Sequence, residues 1–237
     1  MDGKMKLARV VTALIVLGAT TGAFAQGPDA RAALEAKAAA AYNAKKWQDA
    51  ESAFKQLVAI EPARFDYRQD LANAQLNLGH LPDALTSVDA AIALAEKSAK
   101  GTSAEAAKAK AALADMLVTK GNIFLKQRKT PEAIAAYEKA APLAANPATA
   151  YFNLCAVHYN AGNMKGAAAA CDKAIAADPK KADAYFIKGS VLFADAKMQN
   201  GKIVPSRDAM AALQQYLVLA PNGPHAADVK AMIDATK

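Results

Sequence analysis

A helix pattern recurring at a spacing near 34 residues constrains this chain more than any single motif does. Five stretches set an alanine, a larger residue four positions on, and an apolar residue three further. They are Ala50-Phe54-Leu57, Ala84-Val88-Ala91, Ala133-Tyr137-Ala140, Ala167-Cys171-Ala174 and Ala209-Leu213-Tyr216. Steps of four and three return to one face of an α-helix. Pro62, Pro179 and Pro221 follow three of the stretches, where a residue without a backbone N–H stops the ladder. Another apolar-periodic helix and a polar turn precede each stretch. Apolar residues make up 54% of the chain. Alanine dominates them, and its helix propensity supports an all-α fold.

This pattern resembles the tetratricopeptide repeat family, in which helix A pairs with helix B in units of about 34 residues. Alignment on the helix B alanine gives units near 31–64, 65–98, 114–147, 148–181 and 182–221. The residue where helix A approaches helix B most closely is then Ala38, Ala72, Gly121, Cys155 and Gly189. All five are small, although that position did not enter the alignment. Asn77-Leu78-Gly79-His80 and Asn160-Ala161-Gly162-Asn163 suit tight turns between helices, with glycine supplying positive φ. The resemblance implies a right-handed superhelical solenoid of antiparallel helix pairs. Residues 225–237, with Val229, Met232 and Ile233 at helical spacing, are expected to form a capping helix.

The chain departs from the family pattern in three ways. The family's aromatic at the fourth position of helix A is present only as Tyr151 and Tyr185. Residues 99–113 are an insertion, with Ser103 placed to cap a lengthened helix. Residues 197–207, containing Asn200-Gly201, are a second insertion, expected to protrude as a loop or hairpin.

Residues 1–25 have the form of a cleavable signal peptide. Lys4, Lys6 and Arg9 precede an apolar core from Val10 to Gly18, and Ala23-Phe24-Ala25 is a small-x-small exit. That core falls short of the roughly 20 residues a membrane span needs. The expected product is a 26–237 repeat domain, soluble in an extracytoplasmic compartment, most simply a bacterial periplasm. The net charge of +7 is scattered, without a run of five or six basic residues, which disfavours nucleic-acid binding.

Cys155 and Cys171 fall in the fourth unit, one on each helix. In an oxidising compartment they suit a bridge pinning the pair, although two buried free thiols fit the same positions. No cofactor and no metal site is expected: His158 lies one turn from Cys155, but no second ligand pair joins them. No phosphate loop, nucleophile elbow or His-Glu-x-x-His helix occurs, so an enzyme is not expected.

The family register turns one face of each helix A toward a groove. Glu35, Gln69, Asp70, Asn73 and Asn77 line its amino end, and Asn122 and Leu125 its middle. Phe152, Asn153, Tyr159, Phe186 and Phe193 line its carboxyl end. Asn73, Asn122 and Asn153 are candidate clamps for an extended peptide backbone, since an amide both donates and accepts. The aromatics supply contact area at small entropy cost, but they also suit packing between repeats, and the sequence leaves both open. Some family members hold acidic peptide termini with a basic clamp. Glu35, Ala39 and Asp70 occupy those positions here, so the resemblance implies an apolar or mixed peptide or a folded envelope protein as partner. The alternative is a structural subunit of an envelope assembly, docking through convex faces or the 197–207 insertion.

Overall fold

The computed structural model describes residues 28–237; the expected signal peptide over 1–25 lies outside them. Five antiparallel helix pairs stack in sequence. They are α1 (Pro28–Asn43) with α2 (Trp47–Ile60), α3 (Phe65–Leu78) with α4 (Leu81–Ser98), and α5 (Ala104–Lys126) with α6 (Thr130–Ala140). Next come α7 (Ala148–Asn160) with α8 (Met164–Ala177), and α9 (Ala182–Ala194) with α10 (Arg207–Leu219). A final helix, α11 (Ala226–Asp234), covers the last pair. The architecture is an all-α solenoid, interrupted by one small hairpin. Among the described residues no helix is long and apolar enough to cross a membrane.

Small residues set how near the helices of a pair come. Ala38, Ala72 and Cys155 are fully buried. A Cβ added to Gly121 would lie 2.4 Å from Tyr137 Cε1, and one added to Gly189 would lie 2.7 Å from Leu213 Cδ2. The larger helix B residues Phe54, Val88, Tyr137, Cys171 and Leu213 fill the space opposite, all buried. Cys155 and Cys171 are disulfide-bonded across the fourth pair, with Cα atoms 5.0 Å apart. Closing a loop of this length stabilises by roughly 3 kcal/mol in the chain-entropy account.

The turn between helices repeats as faithfully as the helices do. Lys45, Gly79, Arg128 and Gly162 all have positive φ. They follow one another at spacings of 34, 49 and 34 residues, the longer one carrying the first insertion. That insertion lengthens the helix that follows it, as the position of Ser103 leads one to expect. The Ser103 hydroxyl accepts from the Ala106 N–H at 3.1 Å and starts α5, whose 23 residues match a long α4 of 18. Leu113 and Met116 of α5 join Ala91 and Ala95 of α4 in one core. The second insertion forms a hairpin, β1 (Lys197–Gln199) against β2 (Lys202–Val204), with Met198 opposite Ile203. Asn200 and Gly201 both have positive φ at its tip, the requirement of a two-residue type I′ turn. The Ser206 hydroxyl then accepts from the Ala209 N–H and starts α10.

The end of the array is closed by Tyr216. Its ring is fully buried, and its hydroxyl accepts from the His225 N–H at 3.0 Å. Val229 and Ala226 of α11 pack with Leu213 and Tyr216 as a terminal core.

Candidate functional site

The first helices of successive pairs form the inner face of the stack. α3 meets α5 and α7 meets α9, whereas the second helices of neighbouring pairs make no comparable contact among the described residues. Helices that approach their counterparts in the next unit lie on the concave side of a curved array. Two clefts open on this face, one toward each end.

The carboxyl-terminal cleft, of about 310 Å³, lies between α7 and α9. Phe152, Ala156, Tyr159 and Asn160 come from α7, Asp183, Phe186 and Ile187 from α9, and Pro224 and His225 from the entry to α11. His225 stacks on Phe186, centroids 3.8 Å apart and planes 1° from parallel. Lys181 Nζ stands 4.8 Å above the Phe152 ring. Phe152, Tyr159 and Phe186 each rest partly on the core and keep part of the ring open. Three of the sequence candidates therefore meet in one cleft. Phe193 goes elsewhere, packing into the terminal core with Leu213 and Tyr216. Asn153 is half-buried on α7 and is not part of the cleft wall.

The asparagines have structural duties. Asn73 Oδ1 accepts from the Thr119 hydroxyl at 3.0 Å, tying α3 to α5. Asn122 Oδ1 accepts from the Tyr137 hydroxyl at 2.6 Å, tying α5 to α6. Asn77 is exposed at the end of α3, its amide donating to the Asn73 carbonyl one turn back. The carbonyl oxygens of Asn73 and Asn122 are thus already used, and a passing peptide would meet mainly their N–H groups.

The amino-terminal cleft, of about 380 Å³, lies between α1 and α3. Phe54 and Leu57 of α2 are its floor, and Glu35, Tyr42, Arg64, Asp66, Tyr67 and Asp70 stand around it. The Tyr67 hydroxyl donates to Glu35. Burial, reinforced by that carboxylate, pushes the phenol up to about 12. Arg64 grips Asp66 with two bonds, at 2.8 and 2.5 Å, and lies 4.3 Å over the Tyr67 ring. Burial raises the Asp66 carboxyl, but Arg64 outweighs it and holds the group below the usual carboxylate range. Asp70 has no such partner among the described residues, and burial together with Asp66 pushes it up to about 6. The groove register includes Glu35 and Asp70. It misses Tyr42 and Tyr67, although Tyr42 sits seven residues after Glu35 on the same helix face.

A second polar group, unforeseen in the sequence, is buried between the first two units. Glu51 is 2% exposed. It is held by Lys55 Nζ at 2.8 Å and by Gln75 Nε2 at 3.4 Å, with His80 Nδ1 also 3.4 Å away. The Ser87 hydroxyl donates to Gln75 Oε1 at 2.7 Å, so the chain of bonds spans α2, α3 and α4. Glu51, His80 and Asp83 bring potential ligand atoms within 4.8 Å of one another. Lys55 occupies the Glu51 carboxylate, however, and the arrangement serves to neutralise a buried charge. Larger clefts, of about 420 and 550 Å³, lie between α6, α7 and α8, where Tyr151, Leu154 and His158 contribute, and between α4, α5 and α6, where Ile92, Leu117 and Leu143 do.

A family model described as tetratricopeptide repeat matches residues 118–182. No curated protein matches the chain by sequence. Among solved structures, PilW, described as a type IV pilus biogenesis factor, superposes with a TM-score of 0.64 at 16% identity, covering 86% of this chain and 84% of its own. MamA from Desulfovibrio magneticus RS-1 gives 0.61 at 15% identity, with 82% and 97% covered. YrrB, described as a repeat protein of this kind with an unusual peptide-binding site, gives 0.56 at 15% identity, with 82% and 88% covered. At such identities the likeness is one of fold.

Proposed function

We propose that this chain, whose residues 118–182 match the tetratricopeptide-repeat family and whose fold is shared with solved repeat proteins, is a protein-interaction scaffold whose concave face holds a segment of a partner protein. The observation that carries this reading is the inner face of first helices, which opens toward each end into a cleft walled by aromatic rings. Partly exposed Phe152, Tyr159 and Phe186 can be covered at little entropic cost, the usual chemistry of an interaction hot spot. The partner's environment in this proposal is extracytoplasmic. The signal-like pattern of residues 1–25 supports that, and so does a disulfide between Cys155 and Cys171, since such bonds persist in oxidising compartments.

The reading is tested by cross-linking and capture from envelope extract with the wild-type protein and a Phe152→Ala/Tyr159→Ala variant. Neither ring carries a hydrogen bond that the fold depends on, so helicity should be unchanged. Loss of one truncated hot-spot side chain typically costs 2 kcal/mol or more, about 30-fold in affinity. The expected result is a partner held by the wild type and lost by the variant. Equal capture by both would remove the groove from the account.

The hairpin favours a second reading, that of a structural subunit docking through the 197–207 insertion. Met198 is 66% and Val204 42% exposed on strands with no further neighbour among the described residues. Capture that survives the aromatic substitutions but not deletion of the hairpin would select it.

A further inference from the structure

The amino-terminal cleft differs in kind from its aromatic counterpart, and the difference lies in its charges. Glu35 accepts from Tyr67 and lies 3.9 Å from Arg31. Asp66 is doubly bonded by Arg64, whose third contact is Glu61 at 3.2 Å. These groups answer one another. Asp70 alone is left over, half-buried among Tyr42, Tyr67, Phe54 and Leu57 with no cation assigned to it among the described residues. Withdrawing a carboxylate from water without a counter-charge is costly, and an uncompensated group standing in a cleft points outward to a ligand. The half-buried Tyr42 ring beside it offers a face that attracts a cation, as the buried Tyr67 ring already does for Arg64.

We propose that the cleft between α1 and α3 receives an arginine or lysine side chain of the partner segment, with Asp70 as its counter-ion and Tyr42 and Tyr67 as its walls. This deepens the groove reading and rests on it. A volume of about 380 Å³ accommodates one long side chain with its neighbouring backbone. The whole chain carries a net charge of +7, so net charge does not attract the cation. Recognition is local, made by one desolvated carboxylate beside the partly open Tyr42 ring, with the Tyr67 side chain as the wall behind it. The partner is thereby specified as a segment carrying a basic residue for this cleft and an apolar or aromatic residue for the other end.

Protonation of Asp70 should release the cation. Asp66 acts on it from its own helix and Tyr42 faces it from α1, with Glu35, Arg64 and Tyr67 around the same cleft. α5, on the far side of α3, meets that helix through the uncharged Thr119. Asp66 is held low and both phenols are held high, so these three do not titrate between pH 5 and 7.5 on the scale of ordinary reference values.

The test uses a blocked hexapeptide of alternating arginine and serine and its citrulline counterpart, which keeps shape but removes charge. Trp47 is the only tryptophan and touches the Tyr42 ring edge-on at 5.2 Å, so its fluorescence reports occupancy. The arginine peptide should bind about ten-fold more tightly at pH 7.5, the size of a single desolvated ion pair. That advantage should shrink several-fold at pH 5. Asp70→Asn should abolish it while raising the melting temperature, because a carboxylate without a counter-ion is removed. Equal binding of the two peptides, or an arginine preference that survives Asp70→Asn in a folded protein, overturns the proposal. Failure of this test beside intact capture that still depends on Phe152 and Tyr159 would leave the groove reading standing and remove only the cation.

Discussion

At Gly121 α5 lies close against α6. A Cβ there would meet three atoms of the Tyr137 ring at 2.4 to 2.8 Å. That ring is fully buried, and its hydroxyl is anchored on Asn122 at 2.6 Å. Gly121→Ala gains about 1 kcal/mol of helix propensity but overpacks a site where typical costs are roughly 1–3 kcal/mol. The expected outcome is a net loss of about 1 kcal/mol, seen as a lower urea midpoint at an unchanged slope. A gain in stability would show that Tyr137 can step aside. The need for a small residue here is visible in sequence, because Ala38, Ala72, Cys155 and Gly189 recur at the same register. The commitment of the Asn122 carbonyl to Tyr137 is not visible. It depends on the angle between two helices, which periodicity does not encode. The same limit applies to Asp70, whose place in the groove can be read although its lack of a counter-ion cannot.

Elements two to four share a buried polar chain that gives them a pH signature. Burial raises the Glu51 carboxyl, but hydrogen bonds from Lys55, Gln75 and His80 outweigh it and hold the group below its ordinary value of 4.5. An acid held low in the folded state contributes its full stabilisation above the unfolded pKa and loses it as pH falls through the folded one. The first two units should therefore weaken below about pH 4.5. A Glu51→Gln variant, which cannot titrate, should show a flatter acid limb. It should also be less stable at pH 7 by about 1–3 kcal/mol, the usual result of weakening a buried charged hydrogen-bond group. Parallel acid limbs would remove Glu51 from this role; urea melts at several pH values read the difference. At this scale the sequence was a good guide to where helices start and stop, because Ser103, Ser206, Pro62 and Gly79 act on the nearest turn. The first insertion was legible in the same way, since Ser103 marks the start of a lengthened helix, but the packing of Leu113 and Met116 of that helix against α4 was not.

Across the whole molecule each unit touches only its neighbours, so a change at one end should stay at that end. The capping helix offers the cleanest case. Val229 is fully buried against Leu213 and Tyr216, and the His225 N–H is bonded to the Tyr216 hydroxyl. His225 also forms a wall of the aromatic cleft by stacking on Phe186. Truncation after Ala220 would return Val229's share of burial, roughly 1.5–3 kcal/mol, and leave Tyr216 facing water. Backbone hydrogen exchange should then quicken through α9 and α10, and partner capture at the carboxyl-terminal cleft should weaken. Protection in α1 to α4, with its own core of Leu57, Leu71 and Val88, should be unchanged, and so should the arginine preference of the amino-terminal cleft. Loss of protection along the entire array would mean that the five units fold as one cooperative body, with the two clefts coupled through the helices between them.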